Sequence, residues 1–249
     1  MTGFSAGVHR GLPSRHLAFI VSVGPNIDVA SQSDLRQEPA SYGCVLSGLS
    51  ARSALISHEG HQEGVAIELS PLGSRALFGL PTRALWNTSV ECAELWERLQ
   101  GPAPWPDRFA VCDDVLTRLA DTDVVVAGEL RHTWRTLVRT GGTASIATLA
   151  HNMGWSRQHL ARRFGDEFGL GPKLAARVVR LERARRMLGS MPSFVTMAQV
   201  AATCGYFDQA HLNRDFAELA GYTPTAWLAE ELPSFQDESG SVVGSSPHD

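Results

Sequence analysis

The sequence predicts an α+β protein, a β-rich N-terminal module followed by an all-α region built on two helix–turn–helix motifs. Three observations lead there. Up to about residue 100 the chain is rich in glycine, serine and β-branched residues. From Asp107 onward nearly every segment has helical spacing. Within that helical region a single pattern occurs twice.

In chain order, HLAFIVSV (16–23), YGCVLSGL (42–49) and GVAIELSP (64–71) read as short strands between turn residues. SRALFGLPTRALW reads as a turn or short helical segment, and SVECAELWERLQ (89–100) as a helix. GPAPWP (101–106) is a boundary, because closely spaced prolines and glycine forbid a continuing helix. The expected helices are 107–121, 125–139, 144–153, 156–168, 172–189, 196–203, 208–220 and 223–231, and the polar tail after Leu232 reads as disordered. The division expected is 1–105 for a sensing or dimerisation module, 106–124 for a helical linker, 125–232 for the tandem helix–turn–helix domain and 233–249 for the tail.

Composition narrows the class. The chain has 249 residues, 43% of them hydrophobic, enough for one large domain or two ordinary ones. No run approaches the ~18 apolar residues of a membrane span, and the N-terminus MTGFSAGVHRGLPSRH has no apolar core before a cleavage site. Cys44, Cys92, Cys112 and Cys204 are scattered, without a CxxC, which suggests reduced thiols in a cytoplasmic protein. Net charge is -4, unevenly spread. Residues 129–232 carry 13 Lys and Arg against 9 Asp and Glu, a net of +4, and the rest carries 9 against 17, a net of -8. A basic domain joined to an acidic one is implied.

The repeat is sharper. ATLAHNMGWSRQHLARRFGDEFGLGP (147–172) and AQVAATCGYFDQAHLNRDFAELAGYTP (198–224) share H-L-x-R-x-F followed by G-x-x-P. His159, Leu160, Arg162, Phe164, Gly169 and Pro172 match His211, Leu212, Arg214, Phe216, Gly221 and Pro224 at an offset of 52, and Ala147, Ala150 and Gly154 match Ala198, Ala201 and Gly205 at 51. One extra residue in the second turn explains the difference, so the region is an internal duplication. In each copy small alanines are expected to let two helices cross closely. Gly154 is expected to end the first helix, Ser156 or Asp208 to cap the second, and Leu160–Phe164 or Leu212–Phe216 to pack it back. That leaves a free face with Gln158 and Arg162 in one copy and Ala210 and Arg214 in the other, flanked by Arg157, Ala161, Gln209 and Asn213.

Such a face suits the major groove of DNA. Arg can bond both acceptors of a guanine edge, and Gln or Asn can pair with the donor and acceptor of adenine. The intervening stretch 171–188 reads as a helix of ~27 Å, about right to set two such helices near the ~34 Å between successive major grooves. Its Arg177, Arg180, Arg183, Arg185 and Arg186 are available for phosphate contact or ion pairing.

With its tandem motif, and GYFDQAHLNRDFAELAGYTP at the second copy, the stretch 125–232 resembles the AraC/XylS family of bacterial transcription regulators; SRQHLARRFGDEFGLGPKLAARVVRLERA resembles that family's first reading helix and linker. The resemblance implies a promoter-binding regulator of double-stranded DNA, usually an activator and often one that touches RNA polymerase. Carried over by position, the DNA-binding candidates are Arg157, Gln158, Arg162, Gln209, His211, Asn213 and Arg214. Ala161 and Ala210 fall where many relatives have larger polar residues. The N-terminal module corresponds to the small β-barrel that binds an effector or dimerises in many relatives, so a small-molecule effector and a homodimer are implied.

Two other readings of that module stay open. HEGHQEG (58–64) offers His58, Glu59, His61 and Glu63 to a metal, although a solvated turn between strands explains it too. The module could thus be a metal- or thiol-dependent sensor or enzyme-like unit, or a protein-interaction unit without an effector. No G-x-S-x-G, P-loop, HExxH or nucleophilic Cys/His arrangement occurs, so no enzyme, cofactor or assigned metal is expected.

Overall fold

The computed structural model describes residues 6–91, 103–121, 123, 126–190 and 195–236, the side chains of 231–236 excepted. The N-terminal region forms two antiparallel sheets from strands β1 (Gly7–Gly11), β2 (Leu17–Ser22), β3 (Ile27–Ser31), β4 (Ala40–Tyr42), β5 (Cys44–Ser47), β6 (Ala54–His58), β7 (Gly64–Leu69) and β8 (Ser89–Glu91). Among the described residues one sheet runs β1-β6-β3-β4 and the other β7-β2-β5-β8.

Side chains alternate across a strand, and this alternation builds the layers. Leu17, Phe19 and Val21 of β2 face one way with Cys44 and Leu46 of β5 and Val65 of β7, and all are buried. Ile20 and Val45 face the other way, onto Ile27, Val29 and Tyr42 of the second sheet. The run YGCVLSGL, expected as one strand, is two. Tyr42 closes β4 in one sheet and Cys44 opens β5 in the other, with the Gly43 carbonyl accepting the Ser22 amide at 2.8 Å. SVE also departs from the expected helix, since Ser89–Glu91 pairs with β5 as an added strand. Residues 92–100, the remainder of that expected helix, lie outside the described residues.

Helix α1 (Pro71–Phe78) is started by a proline in its first turn and by the Ser70 hydroxyl, which accepts the Gly73 amide at 3.0 Å. A 3-10 turn (Thr82–Leu85) follows, and then α2 (Trp105–Leu119). The C-terminal helices are α3 (Gly128–Arg139), α4 (Ile146–Asn152), α5 (Arg157–Phe168), α6 (Pro172–Gly189), α7 (Met197–Thr203), α8 (Gln209–Ala220) and α9 (Pro224–Gln236). The last runs four residues past Leu232, into the segment expected to be disordered.

Helix α6 is the axis of this half. Ala175 and Ala176 belong to a core with Trp134, Leu160, Phe164 and Phe168, and that core is continuous with the β2–β5–β7 face. Leu181, Ala184 and Leu188 belong to a second core with Val200, Leu212, Phe216 and Trp227. Each helix–turn–helix unit therefore has its own apolar centre. The first shares it with the β module.

Candidate nucleic-acid interface

Both copies of the repeat fold as helix–turn–helix units, α4–α5 and α7–α8. Leu160, Phe164, Leu212 and Phe216 are fully buried, which pins α5 and α8 to their supports along one stripe. The Ser156 hydroxyl accepts the His159 amide at 3.1 Å, and the Asp208 carboxylate accepts the His211 amide at 2.6 Å, so each second helix starts at its expected cap. At the other ends Gly169 and Gly221 take φ of 83° and 84°, the left-handed conformation that closes a helix. The crossing alanines differ from expectation. Ala150 and Ala201 are buried, whereas Ala147 and Ala198 are exposed, because Leu149 and Val200 turn the buried face of each short helix away from them.

On α5, Arg157, Gln158, Ala161 and Arg162 are all exposed, and Arg163 lies beside them. On α8, Gln209, Ala210 and Arg214 are exposed and Asn213 is half-buried. His211 is engaged locally. Its ring stands edge-on to Tyr206, 5.2 Å between centroids, and its Nδ1 accepts the Phe207 amide at 3.4 Å.

Four of the five linker arginines fall into two pairs. Arg177 donates to Asp215 at 2.9–3.0 Å and also to Glu218, and Arg180 lies 3.8 Å from Asp215 and 5.2 Å above the Tyr206 ring. These two tie α8 to α6. Asp215 itself is buried, and burial together with its charge pushes the Tyr206 hydroxyl above its ordinary range. Arg183 and Arg186 instead line a cleft of about 490 Å³ with Arg15 and Arg139.

Beyond the shared apolar core, polar and ring contacts among the described residues join the β module to the linker helix and to the two equivalent turns. Arg15 reaches Glu182 on α6 at 3.3 Å, where the Arg15 amide also donates to that carboxylate at 3.1 Å. Around Gly169, Arg83 pairs with Asp166 at 3.2 Å and Arg75 approaches Glu167 at 3.8 Å. Around Gly221, the Ser53 hydroxyl donates to the Ala220 carbonyl at 3.1 Å and Arg10 lies 4.8 Å above the Tyr222 ring. The equivalent turns of both copies are thus covered by the same module.

In that module the His58 ring lies tilted to that of His9, 5.5 Å between centroids, and His61 lies 3.9 Å from Glu63. No group of three or more His, Cys, Asp or Glu side chains that could hold a metal occurs among the described residues. Cys44, Cys112 and Cys204 are buried, and burial pushes the Cys112 and Cys204 thiols up, away from the reactive thiolate. Cys92 lies outside the described residues. No described helix is long and apolar enough to cross a membrane.

A family model described as a helix-turn-helix domain matches residues 149–230, the two units and the helix between them. Residues 149–230 are an AraC-type helix–turn–helix domain. The chain carrying this AraC-type domain is a DNA-binding transcription regulator. Among solved structures it is similar to ToxT from Vibrio cholerae at 14% identity, covering 92% of this chain and 95% of that one with a TM-score of 0.53. An unsaturated fatty acid-bound ToxT matches at 12% identity over 92% and 96%, with a TM-score of 0.51. The C-terminal domain of AraT, a response regulator from Geobacillus stearothermophilus, matches at 16% identity over 49% and 94%, with a TM-score of 0.37. No curated protein matches. The ToxT likeness is one of fold, and it spans the β module as well as the AraC-type domain.

Proposed function

We propose that α5 and α8 enter successive major grooves on one face of promoter DNA, with Arg157, Gln158 and Arg162 reading from the first and Gln209, Asn213 and Arg214 from the second. The observation carrying this is the pair Arg162 and Arg214. They hold the same register in duplicated helices whose opposite stripes are buried, and both are exposed. His211 supports the turn rather than a base. Because Gln158 on α5 is matched by Ala210 on α8, the two half-sites differ and the operator of one chain is not palindromic. Arg162→Ala and Arg214→Ala should each cost ~1–3 kcal/mol on a selected site and relax one base position. Unchanged footprints in both variants would sink the assignment.

The regulator is cytoplasmic, activates transcription through contact with RNA polymerase and dimerises through its β module, a reading supported by the family resemblance. Residues 1–105 form the sensing module, 125–232 the DNA-binding domain and 106–124 the connection between them. For the effector we favour a small carboxylate or similar anion in the cleft of Arg15, Arg139, Arg183 and Arg186. Four arginines line it, Arg15 and Arg186 also reaching Glu182 at 3.3 and 3.8 Å, and ToxT, of similar fold, has been solved with an unsaturated fatty acid bound. Calorimetric titration with short and long carboxylates, on wild type and Arg183→Gln, tests it; equal binding by both proteins would overturn it.

A further inference from the structure

The second turn of the AraC-type domain contains one residue more than the first, and the geometry identifies that residue. In the first copy the Trp155 ring stands edge-on to His159 at 4.6 Å and Ser156 caps α5. In the second the Tyr206 ring stands edge-on to His211 at 5.2 Å and Asp208 caps α8. Aromatic, cap and histidine all have counterparts, so Phe207 is the insertion.

An apolar residue just before a helix cap ordinarily packs on the fourth helical residue. Trp155 is partly buried against the core in that way. For Phe207 the corresponding partner is Leu212, which is fully buried without it. Phe207 is instead 92% exposed, the highest value for a large apolar side chain among the described residues. Its amide is held by His211 at 3.4 Å, and the next residues along the chain are the exposed Gln209 and Ala210 at the start of the reading helix. The N-terminal end of such a helix is the part that meets base edges.

We infer that Phe207 is a DNA-contacting, specificity-determining residue whose ring packs on a thymine 5-methyl group at the edge of the groove entered by α8. The thymine methyl is the apolar group that bases present in the major groove. The phenyl ring, too exposed to stabilise the fold, is covered when DNA binds. The first copy has no such residue, so only the second half-site gains a thymine preference.

This inference rests on the proposed placement of α8, and the test separates the two. A duplex selected from random sequence by the wild-type protein is titrated with wild type, Phe207→Ala, Phe207→Leu and Arg214→Ala, with each thymine replaced in turn by deoxyuridine. Wild type should lose about four-fold at one deoxyuridine position in the second half-site, the worth of one methyl group removed from water. Phe207→Ala should lose at least that much on the thymine duplex and be indifferent to that replacement, while Phe207→Leu keeps a fraction of the preference. Thermal unfolding of Phe207→Ala should match wild type. If Arg214→Ala weakens binding while no deoxyuridine position affects wild type, the Phe207 contact is overturned and the placement of α8 stands. If Arg214→Ala binds as wild type, the placement itself fails, and Phe207 with it.

Discussion

The Arg15 guanidinium lies 3.3 Å from the Glu182 carboxylate, joining the β module to the middle of the linker helix. Glu182 is almost completely buried, and it also accepts the Arg15 backbone amide and, at 3.5 Å, the Ser14 hydroxyl. A carboxylate buried on a helix is stable there only because these donors replace its water. Glu182→Gln keeps the shape but not the charge. Arg15 is partly exposed, so a cost of about 1–2 kcal/mol is expected, read as a lower urea midpoint. Faster proteolytic cleavage around Arg15 should accompany it. An unchanged midpoint would show that the contact contributes nothing to docking the module.

Arg177 and Asp215 make the equivalent tie for the second unit. Asp215→Asn leaves Arg177 and Arg180 facing a neutral amide at a buried site. Glu218 remains to hold Arg177, so the loss should be about 2 kcal/mol in unfolding free energy. Footprints should weaken over the second half-site and persist over the first, because Asp215 orients α8 alone. Uniform weakening across both would argue against that local role.

The two turn glycines allow an internal comparison. Alanine at either strains a positive φ by ~1–2 kcal/mol. A Cβ at Gly169 would also lie 2.7 Å from the Trp86 Cβ and 3.1 Å from the Arg83 Cα, neither of which can swing away, whereas at Gly221 the nearest atom is the flexible end of Arg10 at 3.2 Å. Gly169→Ala should therefore destabilise more than Gly221→Ala in parallel thermal melts. The reverse order would contradict the packing at these turns.

His9 on β1 supplies a pH dependence. Burial, and then the neighbouring His58, hold its pKa below the ordinary 6.5. The folded state thus resists a proton that the unfolded chain accepts, so this contribution is complete above about 6.5 and lost as pH falls through the lowered value. The urea midpoint should drop between pH 7.5 and 5.5, and His9→Gln should flatten the slope. β1 pairs only with β6 among the described strands, so its amides should be the first to exchange on acidification.

Much of the helical half is legible in the sequence because its signals are local. Helix 172–189 is bounded by Pro172 and by the glycine and serine at its end, and the structure gives those limits. The free faces of α5 and α8 follow from projecting residues around a helix once Leu160 and Leu212 are taken as buried. What local signals miss is partnership across the chain. That Arg177 turns inward depends on Asp215, 38 positions away. β6 is partly buried along its whole length, β1 is exposed over its first two residues and partly buried over the rest, and neither offers the alternation that marks β2. Ser89–Glu91 is too short to show any period, and β5 beside it makes it a strand.

The covering of both turns by one module has a consequence for the linker's length. Adding a single residue to α6 would advance it ~1.5 Å and rotate everything beyond by ~100°. Tyr222 and Ala220 would leave Arg10 and Ser53, while the contacts around Gly169 stayed in place. The number of residues between the duplicated units is thus set at two separate anchor points. Insertions there must be answered by a change in the β module, which makes that module the template for the spacing between α5 and α8.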